Sequence, residues 1–564
     1  MDGIRLRKIL IQNFRGIKKL EVDISDTTVF IGENNTGKTA VMNAIQKCLK
    51  DLNARRASVF EYYDFYLNAE NGEPAEPIRI ELTFSEDAIG DWQEGIIRKL
   101  NNLRIIQVND QGLSKVTLRV SCEFDTETRE FKQNWAFLNE ADEELSNISE
   151  SALSTFQHEV AFFYLPALRA ADKHFEARGP YWAPFLKNST LTPEKRTEIE
   201  SKLKEVNDLV VDSHDSFKQV SELLDSLRDL LPMSAEKNVS IDAVPSRILD
   251  ILKKAQVSLG AVSGAKVPVN RHGEGTQSLA VLMLFSAFLS VYAERFAIIA
   301  LEEPEAHLHP SAIRTLWKSI NSLPGQRLVS THSGDLISEV NIYNVRRFAF
   351  NGSGLTCHRI EGGTLTQDET RKLSYYVRSA RGELLFARAW LLVEGQTETW
   401  IFPAAAKASK IDLHKEGIRL VEYGQSDVGL LAKVANSFGI PWICVLDNDS
   451  GRRDYEPKVL VNLGIRTSQE CLRYPYRNPE TYFPEHGFIS VYSSFMSAQN
   501  LAKIKKSPSD TGYWEEYADN FPNSKKVRAA VGVAMEMETR GPSSVTIPIK
   551  EIIDSVVDLA KGDG

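Results

Sequence analysis

Eight consecutive residues, Gly32-Glu33-Asn34-Asn35-Thr36-Gly37-Lys38-Thr39, have the types and spacing to hold a nucleotide. An apolar run (Val29, Phe30, Ile31) precedes them and a helical pattern (Ala40, Val41, Ala44, Ile45, Leu49) follows, which predicts strand, glycine loop and helix start. Main-chain N–H groups of Asn34, Asn35, Thr36 and Gly37, backed by the positive end of the helix, would cradle phosphate oxygens. Lys38 would reach the β- and γ-phosphates, and the Thr39 hydroxyl would coordinate Mg²⁺.

Three later segments have the chemistry to complete such a site. Ala297 to Leu301 is an apolar strand ending in Glu302-Glu303. The first acid can hold Mg²⁺ through water, and the second can orient or deprotonate the attacking water. A further strand, Arg327 to Ser330, leads into Thr331-His332-Ser333, where His332 can contact a γ-phosphate. In Gly273-Glu274-Gly275-Thr276-Gln277-Ser278, glycines open a helix expected from Leu279 to Tyr292, so Gly275 and Gln277 sit where N–H groups bind phosphate.

A second acidic set lies near the C-terminus. Leu391-Leu392-Val393-Glu394-Gly395 reads as a buried strand ending in an acid, with Glu398 one helical turn on. About fifty residues later Ile443 to Leu446 runs into Asp447-Asn448-Asp449. Carboxylates at the carboxyl ends of adjacent parallel strands occupy the place where α/β sheets build their sites. Hard oxygen ligands without His or Cys favour Mg²⁺ or Mn²⁺.

The elements that must position these groups form an α/β chain. Ile9 to Gly16 alternates and then turns, as a hairpin does; Ile78 to Phe84 and Val116 to Phe124 alternate as antiparallel strands, and Val160 to Leu165 is fully apolar. From Thr192 the chain becomes helical, with Leu203, Val206, Val210, Phe217, Val220, Leu224, Leu227 and Leu231 on one stripe, either packed on a partner helix or forming a subunit interface. The expected divisions are 1–190 and 261–380 for one split domain, 191–260 for the helical insertion, and 381–564 for a separate α/β unit. With 76 acidic and 67 basic residues the net charge is −9, so any contact with nucleic acid must use local basic patches. Five scattered cysteines suggest neither disulfides nor zinc, and no apolar run approaches bilayer length, which predicts a cytoplasmic protein without membrane contact.

The hairpin with Asn13-Phe14-Arg15, the phosphate loop, the Gly273–Ser278 segment, Glu302-Glu303-Pro304 and His332 resemble the ABC-type ATPase head of the RecF/SMC/Rad50 group. Glu-Gly-x-x-Glu followed by Asp-x-Asp resembles a Toprim domain, and the two together, with Glu383-Leu384-Leu385-Phe386-Ala387, resemble the OLD (overcoming lysogenization defect) family. The resemblance implies a mixed-sheet ABC head with a helical dimerisation insert and a Rossmann-like Toprim domain. It implies ATP binding and two-metal cleavage of DNA by a homodimer or homotetramer. It also implies antiphage defence of the Gabija or retron-linked kind, with a helicase or a reverse transcriptase and its RNA/DNA as partner. A further acid and lysine of that family map to Glu480 and to Lys526, with Lys525 adjacent. On this reading Asp447, Asp449 and Glu394 hold metal, Glu394 doubling as base. Glu398 and Glu480 hold the second ion, and Lys526 offsets charge on the phosphate. Gly424 and Ser426 would line the site, Asp64 would sit in a metal-sensing loop, and Arg452, Arg453, Lys505 and Lys506 would meet the DNA backbone. The signature segment is not Leu-Ser-Gly-Gly-Gln, and Glu302 stands where many ATPases have Asp, which bears on the hydrolysis rate. The rival reading is a RecF/SMC-like DNA clamp with an inert Toprim unit; a Toprim primase or topoisomerase would need a module for which the chain has no room.

Overall fold

The computed structural model describes residues 3–52, 58–74, 76–166, 192–213, 258–260, 266–268, 271–291, 296–351, 354–379, 382–424, 426–448, 451–464 and 466–562. Asp449 and the insertion stripe from Phe217 to Leu231 lie outside the described residues.

Leu6–Phe14 and Ile17–Asp23 form the expected hairpin, closed where Phe14 faces Ile17. Its sheet continues antiparallel through Ile78–Ser85 and Ser114–Phe124, on which Gln107–Val108 and Phe131–Leu138 also pair. Alternating burial along Ile78–Ser85 is the mark of a sheet with one covered face. Thr27–Gly32 is instead buried at every position. It lies inside a second sheet of order Gly354–His358, Val345–Asn351, Thr27–Gly32, Gln326–Ser330, Phe296–Glu302, Val160–Leu165, parallel except for the first pair. The phosphate loop, the Glu302-Glu303 turn and the turn that carries His332 therefore emerge from the same, carboxyl, end of these parallel strands.

The helix Lys38–Gln46 sends Val41, Met42, Ala44 and Ile45 into a core shared with Ile9 and Ile11 of the hairpin and Phe30, Ile298 and Leu328 of the parallel sheet. Val29, Ile31, Ile299, Leu301 and Val329 project from the other face into a second core. That core runs on without a break into Trp390, Leu392, Tyr423 and Trp442. The C-terminal part, expected as a separate unit, thus shares buried apolar surface with the head. Its own sheet, Ile418–Glu422, Ala389–Val393, Trp442–Val445, Leu472–Arg473, is wholly parallel. Leu391, Val393, Ile443 and Val445 cover its far face against Gln396–Ala408, Lys526–Arg540 and Ile547–Lys561.

The helix expected from Leu279 begins at Glu274 and ends at Val291. The Gly273 carbonyl accepts N–H bonds from Thr276 and Gln277, which places Gly275 within the first turn. Among the described residues no helix is long and apolar enough to cross a membrane.

One arginine ties the two sheets. Arg347, on Val345–Asn351, is buried and donates to the carbonyls of Leu385 (3.1 Å), Ala387 (2.7 Å), Phe438 (3.0 Å) and Gly439 (3.3 Å). Burial pulls its guanidinium down to about 10. Arg347→Met strands four carbonyls in the shared core, so it should cost about 3 kcal/mol or more and lower the first calorimetric transition. A midpoint within about 1 °C of wild type would contradict this account of the junction.

Candidate functional sites

In the head, Gly32 sits at φ +149°, and a Cβ there would meet the Phe348 carbonyl oxygen at 2.6 Å. Gly37 takes φ +81°, which lets the helix begin immediately at Lys38. Lys38 is buried, its Nζ donating to the carbonyls of Gly32 (2.9 Å) and Glu33 (2.7 Å). Burial pulls its pKa down to about 8, against the opposing charges of Glu303, Glu302 and Glu33. The Thr39 hydroxyl donates to Glu302 Oε1, and the Tyr164 hydroxyl donates to Glu302 Oε2 at 2.6 Å. Thr39 and Glu302, the two groups suited to share Mg²⁺, are thus in direct contact although 263 positions apart. Glu303, at φ +43°, lies 3.7 Å from His332 Nε2. Burial, with Lys38 nearby, lowers the His332 pKa, which keeps the imidazole neutral to lower pH than an ordinary histidine.

Lys38, Thr39, Glu302, Glu303 and His332 are therefore brought together. Gly275 and Gln277 are engaged elsewhere: a Cβ on Gly275 would stand 3.1 Å from the His307 carbonyl oxygen, and Gln277 Nε2 donates to the His272 carbonyl at 2.6 Å. Asp64 is a tether rather than an open ligand, since its carboxylate is held by Arg15 Nε (3.0 Å) and Lys47 Nζ (2.9 Å). Sequence reading missed Glu305, whose Oε1 accepts from the Thr331 hydroxyl and the His332 N–H, fixing the turn that carries His332.

At the C-terminal site Glu394 follows Ala389–Val393, and Gly395 starts the helix Gln396–Ala408. The Gly395 N–H donates to Glu398 Oε2 (3.2 Å) and the Tyr476 hydroxyl donates to Glu398 Oε1 (3.2 Å). Glu398 is only 4% exposed. Burial pushes its pKa up to about 7, and the Glu394 charge adds to that; its own N–H, the Gly395 N–H and the Tyr476 hydroxyl oppose it. Asp447 follows the neighbouring strand Trp442–Val445. Tyr423 donates to the Val445 carbonyl (2.9 Å); burial raises its pKa, and Glu394, Asp447 and Glu398 all add to the rise. A Cβ on Gly424 would fall 2.4 Å from the Glu394 carbonyl oxygen, so a larger residue would displace that acid. Ser426 closes the same turn through its N–H to the Tyr423 carbonyl.

Glu480, also 4% exposed, lies on Pro479–Phe483, and Lys526 Nζ is 3.3 Å from its Oε2. Lys525 precedes the helix Lys526–Arg540 as its cap residue. Tyr492, buried, has its pKa raised by burial first, and the charges of Glu480 and Glu398 add to the rise. Among the described residues no three His, Cys, Asp or Glu side chains close on one point as a ready chelate. The donor chemistry nevertheless suits a hard divalent cation: all carboxylate, partly dehydrated and mutually repelling. Two of the four basic residues expected on DNA are engaged locally: Arg452 binds Glu456 (2.7 Å) and Asn448 (2.9 Å), and Lys506 Nζ donates to the Thr511 carbonyl (2.9 Å).

A family model described as a protein of unknown function (DUF2813) matches residues 4–383. The chain belongs to this family. Directly after that region, residues 385–449 of the DUF2813 chain match the Toprim domain of overcoming-lysogenization-defect-like proteins. The chain is 26% identical to the uncharacterized protein YbjD of Escherichia coli K12, covering 99% of this chain and 99% of that one. It is 24% identical to the OLD nuclease of Thermus scotoductus, covering 79% of this chain and 82% of that one. To the endonuclease GajA of Bacillus cereus VD045 it is 21% identical, covering 82% and 78%.

Glu398 gives this DUF2813 chain a pH signature. Its folded pKa, about 7, stands above the ordinary 4.5, so the stability it contributes is full below 4.5 and is lost as pH rises through 7. In EDTA, Glu398→Gln should raise stability by up to roughly 3 kcal/mol near pH 8 and by nothing near pH 4. Equal thermal midpoint gains at both values would contradict the assignment.

Proposed function

We propose that the chain is an ATP-binding, metal-dependent DNA endonuclease that cuts phosphodiesters in its Toprim domain under control of the ATPase head. The observation that carries this reading is that Glu394 and Asp447 follow the adjacent parallel strands Ala389–Val393 and Trp442–Val445, with buried Glu398 in the first turn after Glu394 and the Glu480–Lys526 ion pair in the same part of the chain. The names of the Thermus and Bacillus relatives support the same chemistry. Mg²⁺ or Mn²⁺ bound there would polarise the phosphoryl oxygen and make water nucleophilic near neutral pH. Asp447, Asp449 and Glu394 would be its ligands on one side, and Glu398 and Glu480 on the other. Glu394 would take the proton of the attacking water, and Lys526 would balance charge that builds on the phosphate.

In the head, Asn34 to Thr39 would hold ATP, Glu302 its Mg²⁺, and Glu303 with His332 the γ-phosphate end. Gly275 and Gln277 would serve a partner chain's nucleotide. Segments 1–190 and 261–380 would form that head, 191–260 the dimerisation insert and 381–564 the nuclease. The helix Pro193–Ser213 leaves Ile199, Val206 and Leu209 at 38%, 48% and 68% exposure, which supports a second copy as its cover. Antiphage defence, beside a helicase or a retron reverse transcriptase, follows from the family resemblance.

Control by the head has a physical route. Arg388, immediately before the strand that ends at Glu394, grips Glu33 of the phosphate loop with two N–H donors, one at 2.9 Å. Ligand phosphates that reorder the loop would shift this grip, and the five-residue strand Ala389–Val393 would carry the shift to Glu394.

Purified protein with Mg²⁺ or Mn²⁺ should nick or linearise plasmid, and Asp447→Ala should lower the rate by roughly 100-fold or more while ATP binding stays intact. Undiminished cleavage by that variant would reject the site, and no cleavage by wild type would leave the DNA clamp. Arg388→Ala should keep nucleotide-free cleavage within about twofold of wild type while reducing the change that ATP produces. An unaltered ATP effect would exclude the Glu33 grip as the route.

A further inference from the structure

The three segments that carry the candidate carboxylates come from different parts of the chain, and one residue touches all of them. Tyr476 lies just beyond the fourth strand of the sheet, Leu472–Arg473, and is buried. Its hydroxyl donates to Glu398 Oε1 at 3.2 Å. Its main-chain carbonyl accepts the N–H of Asn448, the residue between Asp447 and Asp449, at 3.0 Å. Its ring packs on Tyr482 and Phe483, centroids 5.3 and 6.0 Å away, on the short helix that carries Glu480. Upstream, the Leu446 N–H donates to the Arg473 carbonyl at 3.0 Å, so the chain leading to Asp447 is zipped to the chain leading to Tyr476.

We propose that Tyr476 is the positioning residue of the metal site, setting the Glu398 carboxylate and the Asp447 loop in mutual register. The inference rests on the metal-dependent reading above. The Glu398 carboxylate is held by the Gly395 N–H on Oε2, the Tyr476 O–H on Oε1 and its own main-chain N–H. Tyr476 supplies the one side-chain donor of the three, and without it the carboxylate loses the contact that ties it to the segment beyond the fourth strand. Partners that orient a metal ligand in this way are worth 10- to 100-fold in metal affinity as a rule, roughly the size of effect expected here. Phenylalanine keeps the ring packing and the main-chain bond to Asn448, so Tyr476→Phe isolates the hydroxyl.

The test uses the full-length chain and Mn²⁺ alone as probe. Free Mn²⁺ is followed by electron paramagnetic resonance during titration of wild type, Tyr476→Phe, Glu398→Gln and the double variant. Tyr476→Phe should raise the Mn²⁺ dissociation constant and the half-activating Mn²⁺ concentration for plasmid cleavage together, by about 10- to 100-fold. The rate at saturating Mn²⁺ should stay within about threefold and ATP binding should not change. In the Glu398→Gln background the same substitution should add little, because the hydroxyl has lost its carboxylate partner. Should Tyr476→Phe fail to fold, 3-fluorotyrosine at position 476 preserves the hydroxyl, and Mg²⁺ should shift its ¹⁹F resonance with the midpoint of cleavage activation. Mn²⁺ affinity within about twofold of wild type, an equal loss in both backgrounds, or an unmoved ¹⁹F signal would each overturn the proposal. A wild-type chain that binds Mn²⁺ and cleaves while Tyr476→Phe matches it refutes the role of Tyr476 alone. A wild-type chain that does neither refutes the nuclease reading, and the role with it.

Discussion

Carboxylates of like charge, drawn together where water is scarce, are the constraint around which the C-terminal half is arranged. Two unit charges 4 Å apart repel by about 4 kcal/mol at an effective dielectric of 20, and the cost grows with burial. The chain meets it in three ways. Glu398 is brought toward neutrality, its oxygens are held by Gly395 and Tyr476, and Lys526 stands against Glu480. An all-carboxylate donor set of this kind suits a hard divalent cation, which is the chemical reason for the metal-dependent reading proposed above. The fold exists to hold this tension: wholly parallel strands end in acids on one edge, and apolar helices cover both faces.

The head uses the same device with a different outcome. There too a buried parallel strand ends in paired acids, but Glu302 is satisfied by the hydroxyls of Thr39 and Tyr164, and Lys38 is folded back on its own loop. The loop is closed on itself, its lysine held by the main-chain carbonyls of Gly32 and Glu33. On the proposed reading a nucleotide would draw Lys38 away from those carbonyls, and Glu33 is the residue that Arg388 grips. The shared core and Arg347 join the loop's sheet to the C-terminal one.

Much of this was legible in the sequence, and for local reasons. Strand, glycine loop and helix follow one another within about twenty residues, and an apolar run stopped by Glu or Asp needs no distant partner to be recognised. What escaped was set by contacts across long separations. Arg388 and Glu33 are 355 positions apart, and nothing in either neighbourhood announces the other. Tyr476 sits among ordinary apolar and aromatic residues, so its hydroxyl reads as packing until Glu398 is seen beside it. Glu274 starts its helix five positions before Leu279, because the Gly273 carbonyl can cap a turn that glycine-rich sequence would ordinarily leave open. The core that the C-terminal unit shares with the head was not legible, because hydrophobic pattern tells which face is buried and not what buries it.

The most direct test of the central claim is anomalous diffraction from crystals of the full chain soaked in Mn²⁺. The account predicts two anomalous peaks per chain, about 4 Å apart, bounded by Glu394, Glu398, Asp447 and Glu480. Peaks confined to Thr39 and Glu302 in the head, with none among the C-terminal acids, would contradict it.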